Sequence, residues 1–117
     1  MLNKIRPIPS GHHTATPYLV VEDAVEAIDF YKRAFGAHEV GRMNGPDGQS
    51  VIHAEIRIGD SMVMLSDEFP GMGPRSPQAL GSTTASIFLY VPDVDAVQAR
   101  RRRGRQGDHA ADGHVLG

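Results

Sequence analysis

An α+β fold, built as a βαβββ module followed by an incomplete second module, is predicted by three features of the chain. A strand-like run ending at Val21 leads into an Asp-capped amphipathic helix. Short alternating strands separated by turn residues follow it. The opening pattern then restarts near residue 84, before the composition changes at Arg100.

The elements follow in order. Residues 1–12 contain Pro7, Pro9, Ser10 and Gly11 and read as an extended lead-in. The first module is expected over 13–68. Residues 14–21 are rich in β-branched and aromatic side chains, which suits a first strand. Asp23 with Glu26 forms a capping-box arrangement, in which each side chain can serve a free backbone N–H at a helix start. Ala24, Ala27, Ile28, Tyr31, Ala34 and Phe35 recur at helical spacing, and Gly36 supplies the stop. A strand over 38–43, a turn over 44–48 and a strand over 51–58 come next. In the last of these Ile52, Ala54, Ile56 and Ile58 are expected on one face, and Val51, His53, Glu55 and Arg57 on the other. Gly59 and Asp60 turn the chain into a strand over 61–66. Residues 69–83, with Pro70, Gly71, Gly73, Pro74, Pro77 and Gly81, read as a linker or flap.

Placing Asp93 on Asp23 aligns Val91 with Val21, Leu89 with Leu19 and Phe88 with Tyr18. A strand over 85–91 and a capped helix from Val94 are therefore expected as the start of a second module, 84–103. An irregular tail, 104–117, follows. Its lead-in, Arg100 to Arg103 and Arg105, reads as a solvated charge run. A nucleic-acid patch is not expected there, because no aromatics interleave and the rest of the chain is acidic enough to offset it. Back-translating residues 104–117 with permitted codons and advancing the frame by one base yields G-A-K-V-T-T-P-L-T-D-M-F-W. The shifted frame restores a Gly stop and a β-strand where the repeat calls for them. A frameshift near residue 100, truncating the second module, is the expectation that follows.

Composition bounds the function classes. The 117 residues suit one domain or two small units sharing a core, and 40% hydrophobic with 22% charged residues is ordinary for a soluble protein. A net charge of −2 offers no global field for nucleic acid or an acidic membrane. The lack of cysteine removes disulfides, thiolate ligands and a thiol nucleophile. No run approaches the ~20 apolar residues of a membrane span, and residues 1–9 do not read as a secretory signal, so a cytoplasmic location is expected.

Thr16-Pro17-Tyr18-Leu19-Val20-Val21, Asp23, and the run from Ala27 through Phe30-Tyr31-Lys32-Arg33-Ala34-Phe35-Gly36 resemble the opening strand and helix of the glyoxalase/bleomycin-resistance/dioxygenase (vicinal-oxygen-chelate) superfamily. His53-Ala54-Glu55-Ile56, Ile58-Gly59-Asp60 and Met64-Leu65-Ser66-Asp67-Glu68 are similar to its PhnB-like branch, as is the shifted-frame D-M-F-W. The resemblance covers about residues 13–99. It implies paired βαβββ modules curving around a small-molecule cavity, commonly in a homodimer, and in many members a divalent metal. The metal-ligand positions of glyoxalase I fall on Thr16, Met64 and Ser86, and the last would lie beyond residue 117. Thr, Met and Ser are poor ligands for such an ion, so no metal site and no cofactor are expected.

Strand alternation points instead to a polar face. Thr14, Thr16 and Tyr18 share one side of the first strand, and His53, Glu55 and Arg57 one side of the third. With Met62, Met64, Phe88 and Tyr90 they make a candidate small-molecule cavity, partly polar and partly apolar. His53 and Glu55 are candidate acid/base groups for a glyoxalase-type lyase or isomerase, with the carboxylate poising the imidazole. The rival readings are a solvent-exposed strand face, and a truncated product without a competent site. His12 and His13 lack a third ligand for a metal.

Overall fold

A computed structural model describes residues 7–104. The shifted-frame tail therefore lies outside the described residues, apart from its first residue, Gly104. Four strands, β1 (Tyr18–Val21), β2 (His38–Asn44), β3 (Val51–Ile58) and β4 (Ser61–Asp67), form one sheet in the order β1-β4-β3-β2. Helix α1 (Ala24–Phe35) carries the chain from β1 to the far edge of the sheet, and β4 returns to pair in parallel with β1. The remaining pairs are antiparallel. This is the expected βαβββ order.

Local chemistry fixes α1. Asp23 sits in extended geometry and its carboxylate accepts the Glu26 N–H at 3.1 Å. At the other end Gly36 takes the left-handed conformation (φ 69°), its N–H reaches Lys32 O, and the Ala37 N–H reaches Tyr31 O. The Gly36-to-Lys32 bond is an αL stop, which a Cβ at Gly36 would strain. Ala24, Ile28 and Tyr31 bury against Ala54, Ile56, Val63 and Leu65, with Ala27 and Phe35 packed alongside, and Ala34 is buried as well.

Asp67, the last residue of β4, latches the module. One carboxylate oxygen accepts the Ala24 N–H at 2.6 Å and the other the Val51 N–H at 2.8 Å. A single side chain thus satisfies an unpaired donor of the α1 N-terminus and ties it to the start of β3.

The first strand is shorter than the sequence predicts. Its ladder to β4 ends with the Met64 N–H bonded to Pro17 O, and proline has no N–H to continue it, so Thr14 and Thr16 lie outside the strand. In β3 the inward and outward sets are corrected at one end. Met43 pairs with His53 but Asn44 with Val51, leaving Ile52 as the extra residue of a bulge. Val51 is therefore fully buried while Ile52 is 42% exposed, the reverse of simple alternation.

After β4, a one-turn helix α2 (Pro77–Leu80) is capped by the buried Ser76, whose N–H bonds Glu68 Oε1 at 2.7 Å. The strand expected over 85–91 is absent: the stretch carries no ladder. A strand exists only where a neighbour takes its N–H and C=O groups, and among the described residues no further strand is present to do so. Ile87 packs on the core, whereas Phe88 and Tyr90 face outward. Helix α3 (Val94–Gly104) forms as expected, with Asp93 capping the Ala96 N–H at 3.0 Å. It packs on α1 and continues through the arginine run. Arg100 donates to Ala34 O at 3.2 Å, so the start of that run is docked rather than free.

Candidate functional site

The sheet has one face under α1 and one open face. Register places Tyr18, Met64, Glu55 and Gly41 in one row across the open face, with Arg57 beside Met62 in the next. Gly41 presents no side chain beside Glu55.

On this face a chain of hydrogen bonds runs from phenol to carboxylate. Tyr18 Oη lies 3.2 Å from His53 Nδ1, and His53 Nε2 lies 3.2 Å from Glu55 Oε2. An ionised carboxylate only accepts, so His53 donates through Nε2, and Nδ1 accepts the Tyr18 O–H. His12 Nε2 reaches the other oxygen, Glu55 Oε1, at 3.3 Å. The hydrogen bond from His53 holds the Glu55 carboxyl below the usual carboxylate range; partial burial opposes this, and His12 adds to it. Both Glu55 oxygens and both His53 nitrogens are thus engaged.

His12 owes its place to a turn. The His12 N–H bonds Pro9 O at 3.0 Å, and Gly11 at the third turn position has φ 83°. The Pro-Ser-Gly-His order is the signal that marks such a turn in sequence. Reading residues 1–12 only as an extended lead-in misses the contact it delivers.

A cavity of about 510 Å³ lies at the end of the sheet where the β1 ladder stops. Its walls are His13 and residues 15–17 of the lead-in, Phe35, residues 58–63 around the β3–β4 turn, and residues 87–92. Four predicted ligand-contact residues, Thr16, Met62, Phe88 and Tyr90, meet here. The Phe88 and Tyr90 rings touch, with centroids 5.2 Å apart and planes at 57°. Tyr18, Arg57, Met64, His53 and Glu55 do not line this cavity; the predicted set divides between it and the open face. Asp60, read from sequence as a turn residue, lines it as well, and its Oδ1 accepts the Ser61 Oγ–H at 3.1 Å.

The positions that the resemblance aligns with glyoxalase I metal ligands share no cavity. Thr16 lines the large cavity, Ser86 a separate one of about 230 Å³ beside β1, and Met64 neither. A hydroxyl, a thioether and a hydroxyl are also the wrong donors for a divalent ion of the glyoxalase I kind. Among the described residues no group of three or more His, Asp or Glu is placed to hold a metal. The donor set does not fit the ion.

A four-stranded βαβββ sheet with one helix-covered face is the module of a large group of small-molecule-handling proteins. The chain belongs to the Glyoxalase/Bleomycin resistance protein/Dioxygenase superfamily, whose family model matches residues 11–106. It is 54% identical over 84 residues to an uncharacterised protein of Mycobacterium tuberculosis strain H37Rv, a match covering 69% of this chain and 49% of that protein. The chain thus spans about half the length of the curated relatives it matches. Its fold is similar to that of an Arabidopsis thaliana gene product, with TM-score 0.65 and 23% identity over 79% of this chain and 72% of the other. A PhnB protein from Bacillus cereus shares the fold with TM-score 0.59 and 18% identity, over 80% and 73% of the two chains. No helix among the described residues is long and apolar enough to cross a membrane.

Proposed function

We propose that the chain supplies a small-molecule-binding module that works without the metal of glyoxalase I, and that its ligand occupies the cavity beyond the end of β1. The observation that carries this reading is the meeting of Thr16, Met62, Phe88 and Tyr90 on one cavity of about 510 Å³, a size that suits a small organic molecule. A wall of apolar side chains with a few polar groups favours binding over chemistry. Chemical-shift mapping with a panel of small aromatic and aliphatic ligands tests the reading. Perturbations confined to residues 13–17, 58–63 and 87–92 support it, and binding of none of them marks the chain as lacking a competent site.

A second reading, a lyase or isomerase of glyoxalase type, draws support from the Tyr18–His53–Glu55 relay. Here His53 is the acid/base group and Glu55 the fixed carboxylate that orients it. Full turnover of candidate carbonyl substrates by His53→Ala eliminates this role. The family commonly dimerises, and a homodimer belongs to the same proposal; sedimentation of the wild type reads it out. Function as a soluble cytoplasmic protein, with neither nucleic acid nor membrane as partner, completes it.

A further inference from the structure

The charge on the cavity wall narrows the ligand class. Among the described residues that line it there is no lysine or arginine; the ionisable groups are Asp60, His13 and Tyr90. Asp60 brings a carboxylate to the β3–β4 turn, and its hydrogen bond from Ser61 Oγ fixes that carboxylate beside the start of β4. Phe88 and Tyr90 are 80% and 93% exposed, yet their rings touch. The exposed, touching rings form a ready aromatic surface without a partner in the core cluster. Aromatic faces carry negative quadrupole density, and a nearby carboxylate reinforces it. An anionic ligand would meet Asp60 without a lysine or arginine among the described lining residues to offset it, whereas a cation meets attraction from both groups.

We propose that this cavity takes a small organic cation with a flat apolar body, stacked against Phe88 and Tyr90 with its charge toward Asp60. The proposal rests on the reading of the cavity as the ligand's place and adds the chemical class. Thr16 and Ser61 offer hydroxyls to the ligand's own N–H groups.

Two probes of one ring system but opposite charge test it on the full chain: 9-aminoacridine as the cation and acridine-9-carboxylate as the anion, titrated by fluorescence. The cation is expected to bind at least about tenfold tighter than the anion. Phe88→Ala/Tyr90→Ala should weaken the cation by about tenfold or more, as loss of a stacking surface does. Asp60→Asn should weaken the cation about three- to fivefold and narrow the gap between the probes. All three residues are exposed, so the variants keep the core, and an unchanged melting temperature verifies this. If the anion binds as tightly as the cation, or Asp60→Asn leaves the ratio unchanged, the class is wrong while the cavity reading stands. If neither probe binds, or the aromatic double variant binds both as well as wild type does, the cavity reading itself fails.

Discussion

Among the described residues the same structural phrase opens twice, and only the first opening gains a strand ladder. Tyr18–Val21 runs into an Asp-capped helix and becomes a strand, because β4 offers its backbone in parallel register from Tyr18↔Met64 to Val21↔Asp67. Residues 85–91 run into an Asp-capped helix of the same design and remain without a ladder. A helix satisfies its own hydrogen bonds and needs only a cap and a surface to pack on, so both helices form. A strand borrows its hydrogen bonds, so its fate is decided by whatever lies beside it. The segment left without a ladder becomes a wall of the cavity. The functional candidate sits where the four-stranded unit meets the segment without a ladder.

The contrast can be attacked at several depths. Ile56 is fully buried between α1 and the sheet, so Ile56→Ala should cost about 2–5 kcal/mol in chemical denaturation, while Ile87→Ala, at the half-buried margin, should cost less than half of that. Equal losses would mean that the second unit is as tightly packed as the first. Asp67→Ala removes the acceptor for both the Ala24 and Val51 N–H groups and should cost about 2–3 kcal/mol. The two helix caps offer a finer comparison. Asp23→Ala should lower stability by about 1 kcal/mol, and Asp93→Ala by less, because α3 contributes less buried surface to the cooperative unit.

The smallest effect is pH-linked. Glu55 has its carboxyl held below the ordinary value, chiefly by the His53 hydrogen bond, so the folded state binds its proton less readily than the unfolded chain. Its contribution is therefore complete above the ordinary carboxylate value and is lost as pH falls from there through the lowered folded-state value. Melting temperatures of wild type and Glu55→Gln should differ at neutral pH and converge in acid. Curves that stay parallel down to the lowest pH contradict the assignment.

Much of the fold was legible because the signals are local. Asp23, the spacing from Ala24 to Phe35 and Gly36 define α1 within its own residues, and the structure places the helix there. What alternation alone misassigned depended on neighbours. Whether Val51 or Ile52 faces the core is set by a bulge against Met43 and Asn44, and the length of β1 by the missing N–H of Pro17. The Asp67 latch joins residues 43 positions apart, as does the His12–Glu55 contact, and neither spacing carries a signature in one sequence. The candidate site was legible as a set of residue types but not as a place. Periodicity puts side chains on faces, whereas the end of a ladder decides where a cavity opens.

Backbone amide hydrogen exchange in the unliganded protein tests the central contrast most directly. The amides of Ala54, Ile56, Val63 and Leu65 should be protected to the level of global unfolding, while those of Ile87, Phe88, Leu89 and Tyr90 exchange orders of magnitude faster. Comparable protection in residues 87–90 would show that they are paired after all, and would contradict both the open segment and the cavity built on it.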